Sequence, residues 1–117
     1  MMNMAQELQF ERIKLASFNN FDGHNVAYWL RENQHLWKSF VFGRFKYFEL
    51  IELRDMHTGS INADTLYILT TKDQLAGLLV LINKFDANEV DYYDRDEQCL
   101  LGGGLGKDEV FVHVWWD

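Results

Sequence analysis

The stretch from Thr65 to Lys84 constrains the fold more than any other part of the sequence, because a strand-like segment leads directly into a helix-like one. Residues 65–70 (Thr-Leu-Tyr-Ile-Leu-Thr) are rich in branched and aromatic side chains, which is typical of a buried strand. Thr71 and Gln74 match a capping box, in which each side chain satisfies a free backbone N–H at the start of a helix. The helix predicted over 72–84 is apolar on more than one side, so other elements must cover it.

The rest of the chain predicts one more helix and several strands. Apolar residues alternate over 6–17 with one slip of phase, which predicts a strand interrupted by a β-bulge. Large apolar side chains recur at helical spacing over 26–40, which predicts an amphipathic helix capped by Asn25. The other predicted strands lie over 44–54, 89–101 and 109–116.

These elements predict the α+β class. Their order is β-α-β-β-α-β with one further strand at the C-terminal end. The first six match the ferredoxin-like arrangement, in which two helices cover one face of an antiparallel sheet. No proline and no linker-like segment interrupts the chain, so residues 1–117 are predicted to form a single domain.

Cys99 is the only cysteine, so no internal disulfide can form, and a reducing compartment is indicated. The first residues lack the basic and apolar regions of a secretory signal. The longest apolar run, 75–82, is far shorter than the roughly 20 residues that cross a bilayer. A cytoplasmic protein without membrane attachment is therefore predicted.

No motif in the sequence supports catalysis or a bound cofactor. The glycine cluster before Lys107 is not a phosphate loop, because Leu101 stands where glycine is required and Asp108 where serine or threonine is required. The four histidines show no metal-type spacing, and nothing local supports a nucleophilic pair of Cys99 with His113. The sequence therefore predicts neither an enzyme nor a cofactor.

Residues 86–97 match the sequence pattern of a calcium-binding loop only in part. Oxygen-bearing side chains occupy four of its ligand positions: Asp86, Asn88, Asp94 and Glu97. Val90, at the fifth position, has no side-chain oxygen, and Asp91 stands where the sharp turn requires glycine. No metal site is therefore predicted.

Charge is distributed unevenly along the chain. Residues 1–54 carry +1 and residues 55–117 carry −8, which together give the net −7. The most acidic segment has six carboxylates and two tyrosines beside a single arginine, and we predict that it binds the partner through Asp86, Glu89, Asp91, Tyr92, Tyr93, Asp94, Asp96 and Glu97. Such a field repels nucleic acid and attracts a basic protein, although solubility alone would also account for it.

Size, acidity and the lack of catalytic residues are typical of small inhibitors that dock on a basic, nucleic-acid-handling partner. Immunity proteins against nuclease toxins and phage anti-defence proteins are of this kind, and their carboxylates mimic a phosphate backbone. Trp115 and Trp116, near the chain end with little sequence left to cover them, are the alternative contact. Two other functions stay open. One is single-stranded nucleic-acid binding by the basic and aromatic residues of 38–48; the other is a structural or assembly subunit.

Overall fold

The computed structural model describes residues 3–44, 63–94 and 104–117 of the chain. Its helices are α1 (Met4–Leu15), α2 (Gly23–Glu32) and α3 (Lys72–Ile82). Its strands are β1 (Ser17–Phe18), β2 (Phe21–Asp22), β3 (Ser39–Gly43), β4 (Thr65–Thr71), β5 (Glu89–Tyr93) and β6 (Glu109–Trp115). Short 3-10 helices follow α2 and α3, at Gln34–Leu36 and Asn83–Phe85. The predicted α+β class is therefore confirmed.

Four of the strands form one antiparallel sheet in the order β3-β4-β6-β5, and β1 and β2 form a separate two-stranded pair. Because β4 and β5 both run antiparallel to β6, they are parallel to each other. Helix α3 connects these two strands, and β6 lies between them, so the three strands and the helix form a split β-α-β unit. The ferredoxin-like element order with a further C-terminal strand is not confirmed.

The core lies between the helices and one face of the sheet. Inward-facing side chains form two rows across β3, β4 and β6, which are Phe40–Ile68–Val112 and Phe42–Leu66–Val114. Phe21 stacks on Phe42 with ring centroids 5.1 Å apart and meets Trp116 edge-on at 4.6 Å. Offset and edge-on ring pairs of this kind add stability beyond the area that they bury.

The predicted strand over 6–17 is wrong, because most of this segment forms α1. Its buried residues are Gln6, Phe10 and Ile13, which follow helical spacing, whereas Leu8 and Leu15 are exposed. Apolar residues therefore mark the buried face only in part, since a glutamine takes one core position and two leucines face solvent.

Gln6 is buried because its amide group pairs with the outer edge of β3. Its side-chain N–H donates to the carbonyl of Phe40 at 3.0 Å, and its oxygen accepts from the Phe40 N–H at 3.1 Å. One turn along α1, the Gln9 side chain accepts from the N–H of Phe42 at 2.9 Å. Two helix side chains thus make the bonds that a neighbouring strand would make.

The helix predicted over 26–40 covers two different structures. Helix α2 begins after Asp22, which caps it in place of the predicted Asn25, and ends at Glu32. Asn33 stops it, because its side chain donates to the carbonyl of Trp29 and its own N–H to that of Leu30. Beyond Asn33, Leu36 lies in the 3-10 helix, Trp37 directly follows it and Phe40 lies in β3, and all three are buried in the core.

The other predicted elements have different outcomes. The strand over 65–70 and the strand over 109–116 are confirmed as β4 and β6. The helix after Thr71 is confirmed as α3, but the Thr71 side chain makes no capping hydrogen bond. The strand over 89–101 is confirmed for 89–93, while the predicted strand over 44–54 lies almost wholly outside the described residues.

Candidate functional site

Strand β5 is at one edge of the sheet, and β6 is its only strand partner among the described residues. Its side chains alternate between the two faces of the sheet. Glu89 and Asp91 share one face with Tyr93, and Val90 and Tyr92 share the other. Apart from Tyr93, which is half-buried, every side chain of β5 is exposed.

The apolar face of β5 continues the core without being covered by it. Val90 lies opposite Val114, and Tyr92 lies opposite Val112, on the face that packs against the helices. Val112 and Val114 are fully buried, whereas Val90 is 41% and Tyr92 57% exposed. Each apolar row of the sheet therefore ends in a side chain that solvent can reach.

The acidic side chains near β5 lack balancing cations in the described structure. Glu89 and Asp91 are exposed on the strand, and Asp86 and Asp94 are exposed on either side of it. The ion pairs of the described ranges are Glu7–Arg31, Glu11–Lys14 and Glu109–Lys38, so none of them involves these four carboxylates. This edge of the sheet is therefore a strongly negative surface.

The two adjacent tyrosines lie on opposite faces of β5, as expected for an extended segment. The ring of Tyr93 packs against Phe111, with centroids 5.1 Å apart, whereas Tyr92 extends into solvent. Tyr92 is therefore the exposed aromatic side chain among the carboxylates. Asp96 and Glu97, which were predicted to belong to the same surface, lie outside the described residues.

The expectation that Trp116 is poorly covered is wrong. Its side chain is 1% exposed and packs in the core, where its ring N–H donates to the carbonyl of Phe85 at 2.9 Å. Phe21 and Phe85 come from elements distant in sequence, which is why the last residues of the chain did not reveal this burial. Trp115, on the opposite face of the sheet, is half-buried and lies opposite Glu89.

The basic and aromatic segment over 38–48 is only partly described. Phe40 and Phe42 are buried, so they cannot stack on bases in this fold. Lys38 is paired with Glu109, and this hydrogen-bonded pairing raises the pKa of the lysine and lowers that of the glutamate. Residues 45–48 lie outside the described ranges.

The described residues offer no group of three His, Cys, Asp or Glu side chains that could hold a metal ion. Val90 and Asp91, at the fifth and sixth positions of the calcium pattern, belong to a strand rather than to a loop. Cys99 lies outside the described ranges. His113 is buried on β6, where its ring is 5.4 Å from that of Tyr67.

Burial lowers the pKa of His113, although Asp91, Glu89 and Asp64 act in the opposite direction. Below about pH 6.5 the unfolded chain binds a proton at this residue that the folded chain excludes, so stability should fall with falling pH until the folded-state pKa is reached. Because of this residue, the free energy of unfolding is expected to change by at most about 1.4 kcal/mol per pH unit.

Urea denaturation at about pH 7.5 and about pH 5.5 measures this effect, with His113→Gln compared with the wild type. The exposed His35 provides the control, His35→Gln. The expectation fails if His113→Gln keeps the full pH dependence of the wild type.

No family model, curated protein or solved structure that was compared with the chain matches it. Within the described ranges, none of the helices has the length and apolar character needed to cross a membrane.

Proposed function

We propose that this protein is a small acidic inhibitor that docks through β5 and its flanks on a basic partner that handles nucleic acid. The observation that carries the proposal is an edge strand on which exposed carboxylates surround an exposed tyrosine, Tyr92. In this proposal the protein is a binding protein of the cytoplasm rather than an enzyme. Its functional type is that of an immunity protein or a phage anti-defence protein.

The charges and the aromatic ring have different tasks in such an interface. Unpaired carboxylates accelerate the encounter with a basic surface and occupy the place of phosphates. A rigid aromatic side chain that becomes desolvated on binding slows dissociation. Asp91 and Tyr92 are neighbours on β5 but lie on opposite faces of the sheet, so the partner must contact both faces of the strand edge.

The proposal predicts which substitutions weaken binding to a partner isolated from the native host by cross-linking. Asp91→Lys should slow association and weaken binding about tenfold at low salt, with a smaller effect at high salt. Tyr92→Ala should mainly accelerate dissociation. Surface plasmon resonance over a range of salt concentrations measures both rates.

Glu32→Lys is the matched control, because it makes the same change of charge at an exposed position at the end of α2. It should leave the affinity nearly unchanged. A partner whose affinity is insensitive to both Asp91→Lys and Tyr92→Ala would contradict the proposed site. Sub-micromolar binding of single-stranded DNA or RNA to the protein itself, weakening steeply with salt, would contradict the inhibitor function.

A further inference from the structure

The two edges of the sheet differ in whether their backbone groups are already paired. At the β3 edge, Gln6 and Gln9 occupy three outward-facing backbone groups, which are the N–H and C=O of Phe40 and the N–H of Phe42. At the β5 edge, the described residues supply no hydrogen bond to the outer side of residues 89–92. Unpaired N–H and C=O groups in a row are a template for another strand.

We propose that the partner binds by adding an extended segment as a fifth strand along the outer edge of β5. Basic side chains of this segment lie beside Glu89 and Asp91, and apolar ones lie beside Val90 and Tyr92. The identity of the partner rests on the proposed function. The manner of binding is inferred from the backbone groups on the outer side of β5, for which the described residues supply no hydrogen bond.

Strand addition makes use of both faces of β5 at once. A strand of period two with basic and apolar residues in alternation places its cations on one face and its apolar side chains on the other. The apolar side chains extend the two core rows that end at Val90 and Tyr92, and bury surface that is 41% and 57% exposed in the free protein. The cations lie opposite carboxylates, which is a favourable cross-strand pairing.

The same charges disfavour pairing with a second copy of the chain. An antiparallel pairing of two β5 strands centred on Asp91 places the two Asp91 side chains opposite each other. An in-register parallel pairing places Glu89 beside Glu89 and Asp91 beside Asp91. Like charges at directly opposed positions are destabilising, so in both of these registers the edge favours a basic strand over a second copy of the chain.

The test uses synthetic seven-residue peptides and the full chain. A peptide of alternating lysine and valine should bind, as measured by fluorescence anisotropy, at least about tenfold more tightly than a peptide of the same composition with lysines and valines in separate blocks. N-methylation of the alternate residues whose N–H groups face β5 should abolish binding, whereas methylation of the other residues should not. Binding should also slow amide hydrogen exchange in β5.

Charge exchange tests the predicted register. Asp91→Lys should weaken binding of the alternating peptide, and a glutamate in place of the lysine opposite position 91 should restore it. Equal binding of the alternating and block peptides would overturn strand addition, and so would a lack of binding at about 1 mM peptide. If either result is found but Asp91→Lys still weakens binding of the host partner, strand addition is wrong and the proposed function stands. If Asp91→Lys does not change the affinity of the host partner, the proposed function itself is contradicted.

Discussion

Replacing Trp116 by alanine is expected to lower the free energy of unfolding by about 3–5 kcal/mol. The indole is almost fully buried, meets Phe21 edge-on, and donates its N–H to the carbonyl of Phe85. Truncation leaves a large cavity beside Phe21 and Phe85 and removes the partner of a buried carbonyl. Trp116 therefore contributes to stability far more than its place next to the chain end indicates.

Urea denaturation followed by far-UV circular dichroism measures this loss without depending on the tryptophan signal. Trp116→Phe should have an intermediate effect, because it keeps an aromatic ring but leaves the Phe85 carbonyl without its donor. Val80→Ala, at a position that is 66% exposed on α3, should change stability little. A Trp116→Ala protein as stable as Val80→Ala would refute the buried position of the indole.

Gly23→Ala is expected to lower the free energy of unfolding by about 3 kcal/mol or more. Overpacking usually costs roughly 1–3 kcal/mol, and this substitution lies at or above the upper end of that range. Gly23 begins α2 at the point where this helix passes the end of α1. A β-carbon at this position would lie 1.9 Å from the carbonyl oxygen of Ile13 and 2.6 Å from that of Ala16. Both obstacles are backbone atoms, so the two helices would have to separate.

Gly77→Ala is the matched control, since it makes the same change within α3. The added carbon there meets only the flexible end of the Leu36 side chain, at 2.9 Å. Alanine is also the better helix former by about 1 kcal/mol, which offsets the cost of moving Leu36. Thermal unfolding of both variants should therefore separate them clearly, and equal midpoints would mean that the helices do not approach each other so closely at Gly23.

The sequence predicted best those elements whose signals are local. β4, α3 and β6 each carry an uninterrupted pattern of branched, aromatic or helix-forming residues, and each lies where it was predicted. Helix α1 was missed because its buried face includes Gln6, whose burial depends on a strand that begins more than thirty residues later. A polar residue that is buried through a distant backbone cannot be distinguished, in sequence alone, from one that faces solvent.

The candidate site was predicted in part for the same reason. The alternation of Glu89, Val90, Asp91 and Tyr92 between two faces follows from the strand geometry of a short segment. The position of this strand at the edge of the sheet, next to β6, depends on pairings between segments that are far apart in sequence. The burial of Trp116 by Phe21 and Phe85 was not predicted for the same reason, because these residues are far from Trp116 in sequence.

The bonds from Gln6 and Gln9 to β3 limit what strand addition can build. A sheet with two open edges can accept a strand at each, and repeated addition then leads to filaments. Among the described residues, side chains of the chain's own helix α1 occupy backbone groups of the β3 edge, which disfavours the addition of a strand there. In the complex that we propose, the sheet is therefore expected to gain one strand at the β5 edge, and repeated addition into a polymer is disfavoured.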